Sequence, residues 1–321
     1  MNGGHDSDFG RPVAGTRLVA SPIGLRLLSA PRAGLEADPG AARLLVRARA
    51  LGITTFDVGR GAEAARAERI LAAAFPRPDE SLLVIARRSA TDLANGDARS
   101  GGIAAPSDLD ARLRRSLEES ASRLRSLTIG LLVWDRVASG APGPDPTRSF
   151  LDGLVSEGRI GGWAEQVRVS RSLTSEPGAS GRGTGVYSGP LSVLERGLLA
   201  PLEARAADGP LSFFAEDPLG AGRLDGSRFE QPLADRGPST PPVGIAELHR
   251  EFDPVLRLGF LTARGGRTLA QAALQFVLRW PWVSSALVPV PRAERLAEIA
   301  SVAASAPLDD DEVQRILARP E

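Results

Sequence analysis

Eight short apolar runs, each followed by a longer segment of helical period, limit this chain to very few folds. The runs are 22–28 (PIGLRLL), 53–57 (ITTFD), 82–86 (LLVIA), 129–134 (IGLLVW), 160–167 (IGGWAEQV), 184–188 (TGVYS), 211–215 (LSFFA) and 284–289 (SSALVP). Between them, Leu113, Leu117, Ala121 and Leu124 fall on one helical face. So do Leu191, Leu194, Leu198 and Leu202, and again Ala270, Ala273, Leu274, Val277 and Leu278. Gly52 and Gly158 stand where a helix must stop before the next strand, and Asp309 with Glu312 predicts a capping box for a last helix near 310–318. Strands that alternate with helices pair in parallel, through crossovers. Eight such units in 321 residues suit a closed (β/α)8 TIM barrel better than a doubly wound sheet. The expectation is a disordered tail over 1–15, then one barrel domain over 16–321 that opens with a short hairpin near 16–24.

Composition narrows the chemistry. Acidic and basic residues balance at 39 each, so no net field draws the chain to nucleic acid or to a membrane. No apolar run reaches the ~20 residues that span a bilayer, and residues 1–15 are polar and Gly-rich; a cytoplasmic setting is expected. Cysteine is absent, which excludes disulfides, thiolate metal sites and cysteine nucleophiles. Lysine is absent as well, so every basic residue is arginine. Arginine clamps anions but holds its proton too tightly to relay it, and Schiff-base chemistry is excluded. A general acid or base must come from a carboxylate, from Tyr187, from His5 or His249, or from water.

Local motifs are ambiguous. Gly59-Arg60-Gly61-Ala62-Glu63-Ala64 fits the G-x-G-x-x-A dinucleotide pattern after a strand and before a helix, but the chain has more βα units than that reading needs. The stretch 178–185 (GASGRGTG) lies before a strand, the wrong side for a phosphate loop. The acidic run Asp309 to Glu312 reads as helix N-terminal charge, and no metal site is expected. Loops 137–147 and 220–245 are long enough to act as lids. A barrel places its chemistry at strand C-termini. Those positions read Asp57, Arg88, Asp135, Gln166 with Val167, Tyr187, Glu216 with Asp217, and the turn from Pro289 to Arg292.

At these residues the chain resembles the aldo/keto reductase family over nearly its whole length. LVASPIGLRLLSAP (18–31) is similar to the family's opening strand, and GITTFDVGRGAEAARAERIL (52–71) to its G-I-x-x-F-D-T-A-x-x-Y-G segment. LLVIARR (82–88) resembles V-x-I-A-T-K, and the stretch 113–136 resembles the helix and strand that end in the family histidine. FLDGLVSEGRIGGWA (150–164), FFAEDPLGAGRLDG (213–226) and TLAQAALQFVLRWPWVSSALVPV (268–290) follow in the family's order. The resemblance implies a (β/α)8 barrel that reduces aldehydes and ketones with NADP or NAD. Its tetrad is aspartate, tyrosine, lysine and histidine. On this chain the four fall on Asp57, Ala62, Arg88 and Asp135 (Trp134 if the strand slips by one).

The resemblance also maps the cofactor positions. The pair that holds the carboxamide falls on Gln166 and Val167, and the family glutamine falls near Thr184. The tyrosine that stacks on nicotinamide falls on Glu216, the phosphate-loop glycine on Val290, and the adenine-side asparagine on Ile299; Arg292 and Glu298 match. Asp57 and Arg88 are expected to form the acid–base pair.

Three function classes follow: a barrel without catalysis that binds a small polar molecule or a protein partner, a non-redox lyase or isomerase using Asp57, Asp135 and Glu216, and a divergent reductase acting on an aldehyde, ketone or sugar.

Overall fold

A computed structural model describes residues 10–27, 39–95, 106–135, 146–168, 185–229, 252–290 and 292–319. His5, His249, Thr184, residues 178–183, 137–145 of the first long loop and 230–245 of the second lie outside the described residues.

All eight apolar runs form strands: β3 (Ile23–Arg26), β4 (Thr55–Asp57), β5 (Leu83–Ser89), β6 (Leu131–Asp135), β7 (Gly162–Gln166), β8 (Val186–Pro190), β9 (Ser212–Glu216) and β10 (Val283–Pro289). They pair in parallel and close in the order β10-β3-β4-β5-β6-β7-β8-β9. This closed barrel overturns the dinucleotide reading of the Gly59–Ala64 motif, which needs an open sheet. Gly59 and Gly61 instead adopt φ of 75° and 64°, a left-handed turn between β4 and α2 (Gly61–Ala74).

Alternation along each strand divides the core in two. Leu83, Ile85, Leu131, Val133, Ala164, Val186, Phe214 and Leu287 fill the barrel interior. Leu25, Phe56, Val84, Ala86, Leu132, Trp134, Trp163, Phe213 and Val288 face the helical shell. That shell comprises α1 (Pro39–Ala50), α2, α3 (Ala90–Asn95), α4 (Pro106–Leu124), α5 (Pro146–Ser156), α6 (Leu199–Ala207), α7 (Leu269–Leu278), α8 (Ala293–Ala300) and α9 (Asp310–Leu317). No helix among the described residues is long and apolar enough to cross a membrane.

Helix boundaries follow local chemistry. Gly52 and Gly158 end α1 and α5 with φ of 86° and 69°. Capping boxes open α7 (Thr268 with Gln271) and α9 (Asp309 with Glu312). Two expectations shift. In α4 the buried position near Leu117 and Leu124 belongs to Ser120, and Ala121 is exposed. Leu191 and Leu198 are buried but precede the helix, because Ser192 Oγ accepts hydrogen bonds from the amides of Leu194 (3.1 Å) and Glu195 (3.0 Å). That side-chain oxygen competes with helical pairing, and α6 begins only at Leu199.

The hairpin lies earlier than expected and recruits part of the predicted tail. β1 (Arg11–Pro12) pairs antiparallel with β2 (Val19–Ala20). Arg11 donates to the carbonyls of Val283 (2.6 Å) and Leu278 (3.0 Å), and Val13 is buried. Leu18 packs over Gly130 and Gly161 at the strand starts, so the hairpin closes the N-terminal end of the barrel. Residues 11–13 are thus tied to the barrel base through the Val283 and Leu278 carbonyls and the burial of Val13, which no local pattern records.

Candidate functional site at the barrel mouth

The C-terminal end of the barrel is floored by an ion lattice centred on Arg87. This side chain is fully buried and bonds through all three of its nitrogens to the strands around it. Nε donates to Asp57 Oδ2 at 2.7 Å, Nη1 to Gln166 Oε1 at 2.7 Å and Glu216 Oε1 at 2.6 Å, and Nη2 to Ser188 Oγ at 3.1 Å. Arg26, the register partner of Asp57, completes the lattice: Nη1 donates to Glu216 Oε2 at 3.0 Å, and Nε stands 3.4 Å from Asp57 Oδ2. Two cations and two anions cancel. Charges this deeply buried persist only when paired in such geometry.

The lattice corrects the expected acid–base pair. Arg88 does not meet Asp57; Arg87 does. Ile85 lies in the barrel interior, so on β5 Arg87 points inward with it and Arg88 points out. Arg88 instead donates to Ser116 Oγ (2.7 Å), Ser120 Oγ (2.5 Å) and the Arg87 carbonyl (2.8 Å), with Glu68 Oε1 at 3.7 Å. Burial lowers its pKa, against the opposing pull of Glu68. Tyr187 is likewise removed from the mouth: it packs against the outer core. Val167 also belongs to that outer core.

Glu216, Gln166 and Asp57 converge on Arg87. Burial pushes the Glu216 carboxyl up, but Arg87, Arg26 and hydrogen bonds from Ser188 (2.7 Å) and Gln166 (2.8 Å) outweigh it and hold the pKa at about 2. The Arg87 guanidinium is driven above its ordinary range, since Asp57 and Glu216 overcome its desolvation. Next to this, Asp217 adopts φ of 51°, and burial raises its carboxyl.

Asp135 stands on the rim above the floor. Its Oδ2 accepts from Arg60 Nη1 at 3.1 Å and from Arg168 Nη2 at 2.5 Å. Arg60 sits in the two-glycine turn, which is pinned to the floor: the Gly59 amide donates to Asp57 Oδ1 at 2.9 Å, and the Arg87 amide donates to the Gly59 carbonyl at 3.1 Å. Ala62 is the second residue of α2. Arg292 is the exposed N-cap of α8, and Glu298 lies near the other end of that helix. Val290 donates its amide to the Arg26 carbonyl at 3.2 Å, and Ile299 is buried in the outer core. Among the described residues no group of three or more His, Asp and Glu side chains could hold a metal ion. A cleft of about 370 Å3, lined by Arg17, Arg49, Thr54 and Glu80 among others, opens at the opposite end, beside the hairpin.

Sequence reasoning missed Arg26, Arg87, Ser188, Arg60 and Arg168. The strand residues among them carried one usable signal: Asp57 needs an inward cation two residues beyond its register partner Ile85, which is Arg87. The apolar run 82–86 hides it, because both faces of a parallel barrel strand are buried and alternation is lost.

No protein-family model matches the chain, and no curated protein matches it. Solved structures do. The aldo-keto reductase AKR11C1 from Bacillus halodurans in its holo form matches with a TM-score of 0.71 and 18% identity, covering 96% of this chain and 95% of that one. The glycerol dehydrogenase AKR11B4 from Gluconobacter oxydans gives 0.71 and 18%, covering 98% and 97%. An aldo/keto reductase from Klebsiella pneumoniae in complex with NADP and acetate gives 0.65 and 18%, covering 95% and 93%. The register, the hairpin and these matches together give this chain the fold of the aldo-keto reductases.

Proposed function

We propose that this barrel binds a small polar molecule at its mouth and does not perform NAD(P)H-dependent carbonyl reduction. The observation that carries the reading is the occupation of the barrel floor by Arg87. Hydride delivery to a carbonyl leaves an alkoxide that needs a proton within bonding distance. Arg87 does not release its proton, and Glu216, held at a pKa of about 2, has none to give at neutral pH.

The residues at the mouth do not fit a nicotinamide. Where the resemblance places a stacking ring, Glu216 presents an ionised carboxylate bonded to Arg87, Arg26, Ser188 and Gln166. Where it places the carboxamide-holding pair, Gln166 already donates to Glu216 and the Ser188 carbonyl and accepts from Arg87, while Val167 has no polar side-chain atom. Opening the lattice for a ring would leave paired charges buried without partners.

A divergent reductase acting on an aldehyde, ketone or sugar is the second reading, favoured by fold neighbours solved with NADP or NADPH. Cofactor consumption decides between the two. NADPH and NADH are offered with a panel of aldehydes, ketones and aldoses to the wild type and to Asp57→Asn. The expected result is no turnover above background in either protein. Wild-type turnover that disappears in Asp57→Asn overturns the proposal.

A further inference from the structure

The floor of the mouth is neutral, but one group of described residues above it is not. Arg60, Asp135 and Arg168 form a group of two cations and one anion, so one positive charge is left over. Among the described residues Arg60 and Arg168 make ion pairs to Asp135 only, and both use the same oxygen, Oδ2. Their terminal nitrogens therefore lie close enough for one carboxylate to touch both.

Exposure decides which sign of ligand the group meets. The Asp135 side chain is 16% exposed, against 33% for Arg60 and 61% for Arg168. The anion is covered and the cations are open. Each guanidinium has five N–H donors in a planar fork, and among the described residues each gives one to Asp135. Donors on both arms remain for a second acceptor. Arg60 is also held in place, because its turn is tied to Asp57 and to the Arg87 peptide. A pre-positioned arm loses less freedom when it binds.

We propose that Arg60 and Arg168 bind the carboxylate of a small monoanionic ligand, with Asp135 as the residue that positions both arms. This rests on the reading of the mouth as a ligand site and specifies the ligand's charge. A single negative charge brings this group of three to neutrality. A phosphate dianion overshoots it and meets the Asp135 carboxylate with surplus charge. The floor lattice below is already charge-neutral, with Arg87 bonded to Asp57, Gln166, Ser188 and Glu216, so it adds no net attraction for an anion.

The test is titration calorimetry on the full chain with lactate, pyruvate and benzoate, with lactamide and benzamide as neutral counterparts, and with inorganic phosphate. At least one monocarboxylate is expected to bind, with its amide at least ten-fold weaker. Arg168→Gln and Arg60→Gln should each weaken the carboxylate at least ten-fold and leave the amide unchanged. Asp135→Asn adds one positive charge to the rim and should shift preference toward phosphate. Arg168 is exposed enough that its substitution does not threaten folding. Equal binding of carboxylate and amide, carboxylate binding unaffected by Arg168→Gln, or phosphate preferred by the wild type overturns the proposal. Neutral compounds binding where carboxylates fail would sink this inference and leave the ligand reading standing. Binding by no compound of any charge would sink both.

Discussion

Arg87 Nη1 lies 2.6 Å from Glu216 Oε1, joining β5 to β9 across the barrel floor. Neither residue can change alone. With Asp57, Arg26, Gln166 and Ser188 they form one charge-neutral unit that fills the space where the resemblance places chemistry.

Substituting Arg87→Met should therefore be severe. Two buried carboxylates would keep Arg26 as their one cation in the lattice, and breaking a buried pair in this way costs about 3–5 kcal/mol. Urea denaturation followed by circular dichroism should show a large drop in midpoint. Arg168→Gln, at the exposed rim, should stay within about 0.5 kcal/mol of wild type. Equal effects at the two positions would mean that the lattice carries no special weight.

Acid should loosen the barrel through Glu216. Its folded pKa of about 2 lies below its ordinary value of 4.5. A depressed carboxylate pKa gives stability that is full above the unfolded value and is lost as pH falls through the folded one. The window is thus about pH 4.5 down to about 2, and the contribution is on the order of 3 kcal/mol. Asp217 acts with the opposite sign: burial raises its carboxyl, so protonation relieves a desolvation cost and makes the acid limb shallower. Denaturation midpoints from pH 6 to 2 check this. Glu216→Gln should be less stable at pH 6 and should lose less on acidification; parallel curves for the two proteins would refute it.

Gly189 should not tolerate a side chain. A Cβ there would stand 2.3 Å from the Val167 carbonyl oxygen, a backbone atom with no room to rotate away. Gly189→Ala should cost about 1–3 kcal/mol by overpacking and should disturb the β7–β8 pairing that aligns Gln166 with Ser188. Thermal unfolding gives the cost, and an unchanged midpoint would contradict the close approach.

The last helix offers a milder test. Asp309 Oδ1 accepts the Glu312 amide at 2.8 Å, and Glu312 Oε2 accepts the Asp309 amide at 3.0 Å. Asp309→Ala should cost about 1 kcal/mol, the usual value of an N-cap, and it also removes the partner of Arg264. A loss above about 3 kcal/mol would show that the cap does more than satisfy amides.

The sequence by itself determined the architecture. Eight apolar runs at βα spacing, with glycines and one capping box at helix ends, leave few alternatives to a closed parallel barrel, because each signal depends only on residues near in the chain. It also brought Asp57, Gln166 and Glu216 to strand C-termini, since parallel strands all end on one face. Only the tertiary structure decided which way β5 turns. Residues 82–86 are apolar on both faces, so choosing between Arg87 and Arg88 as the partner of Asp57 depends on strand register around the closed barrel. The same holds for Arg26, Ser188, Arg60 and Arg168. Far apart in sequence, Arg26 and Ser188 reach Glu216 and Arg87 inside the low-dielectric barrel, and Arg60 and Arg168 reach Asp135 at its open rim, only because closure of the barrel brings them together.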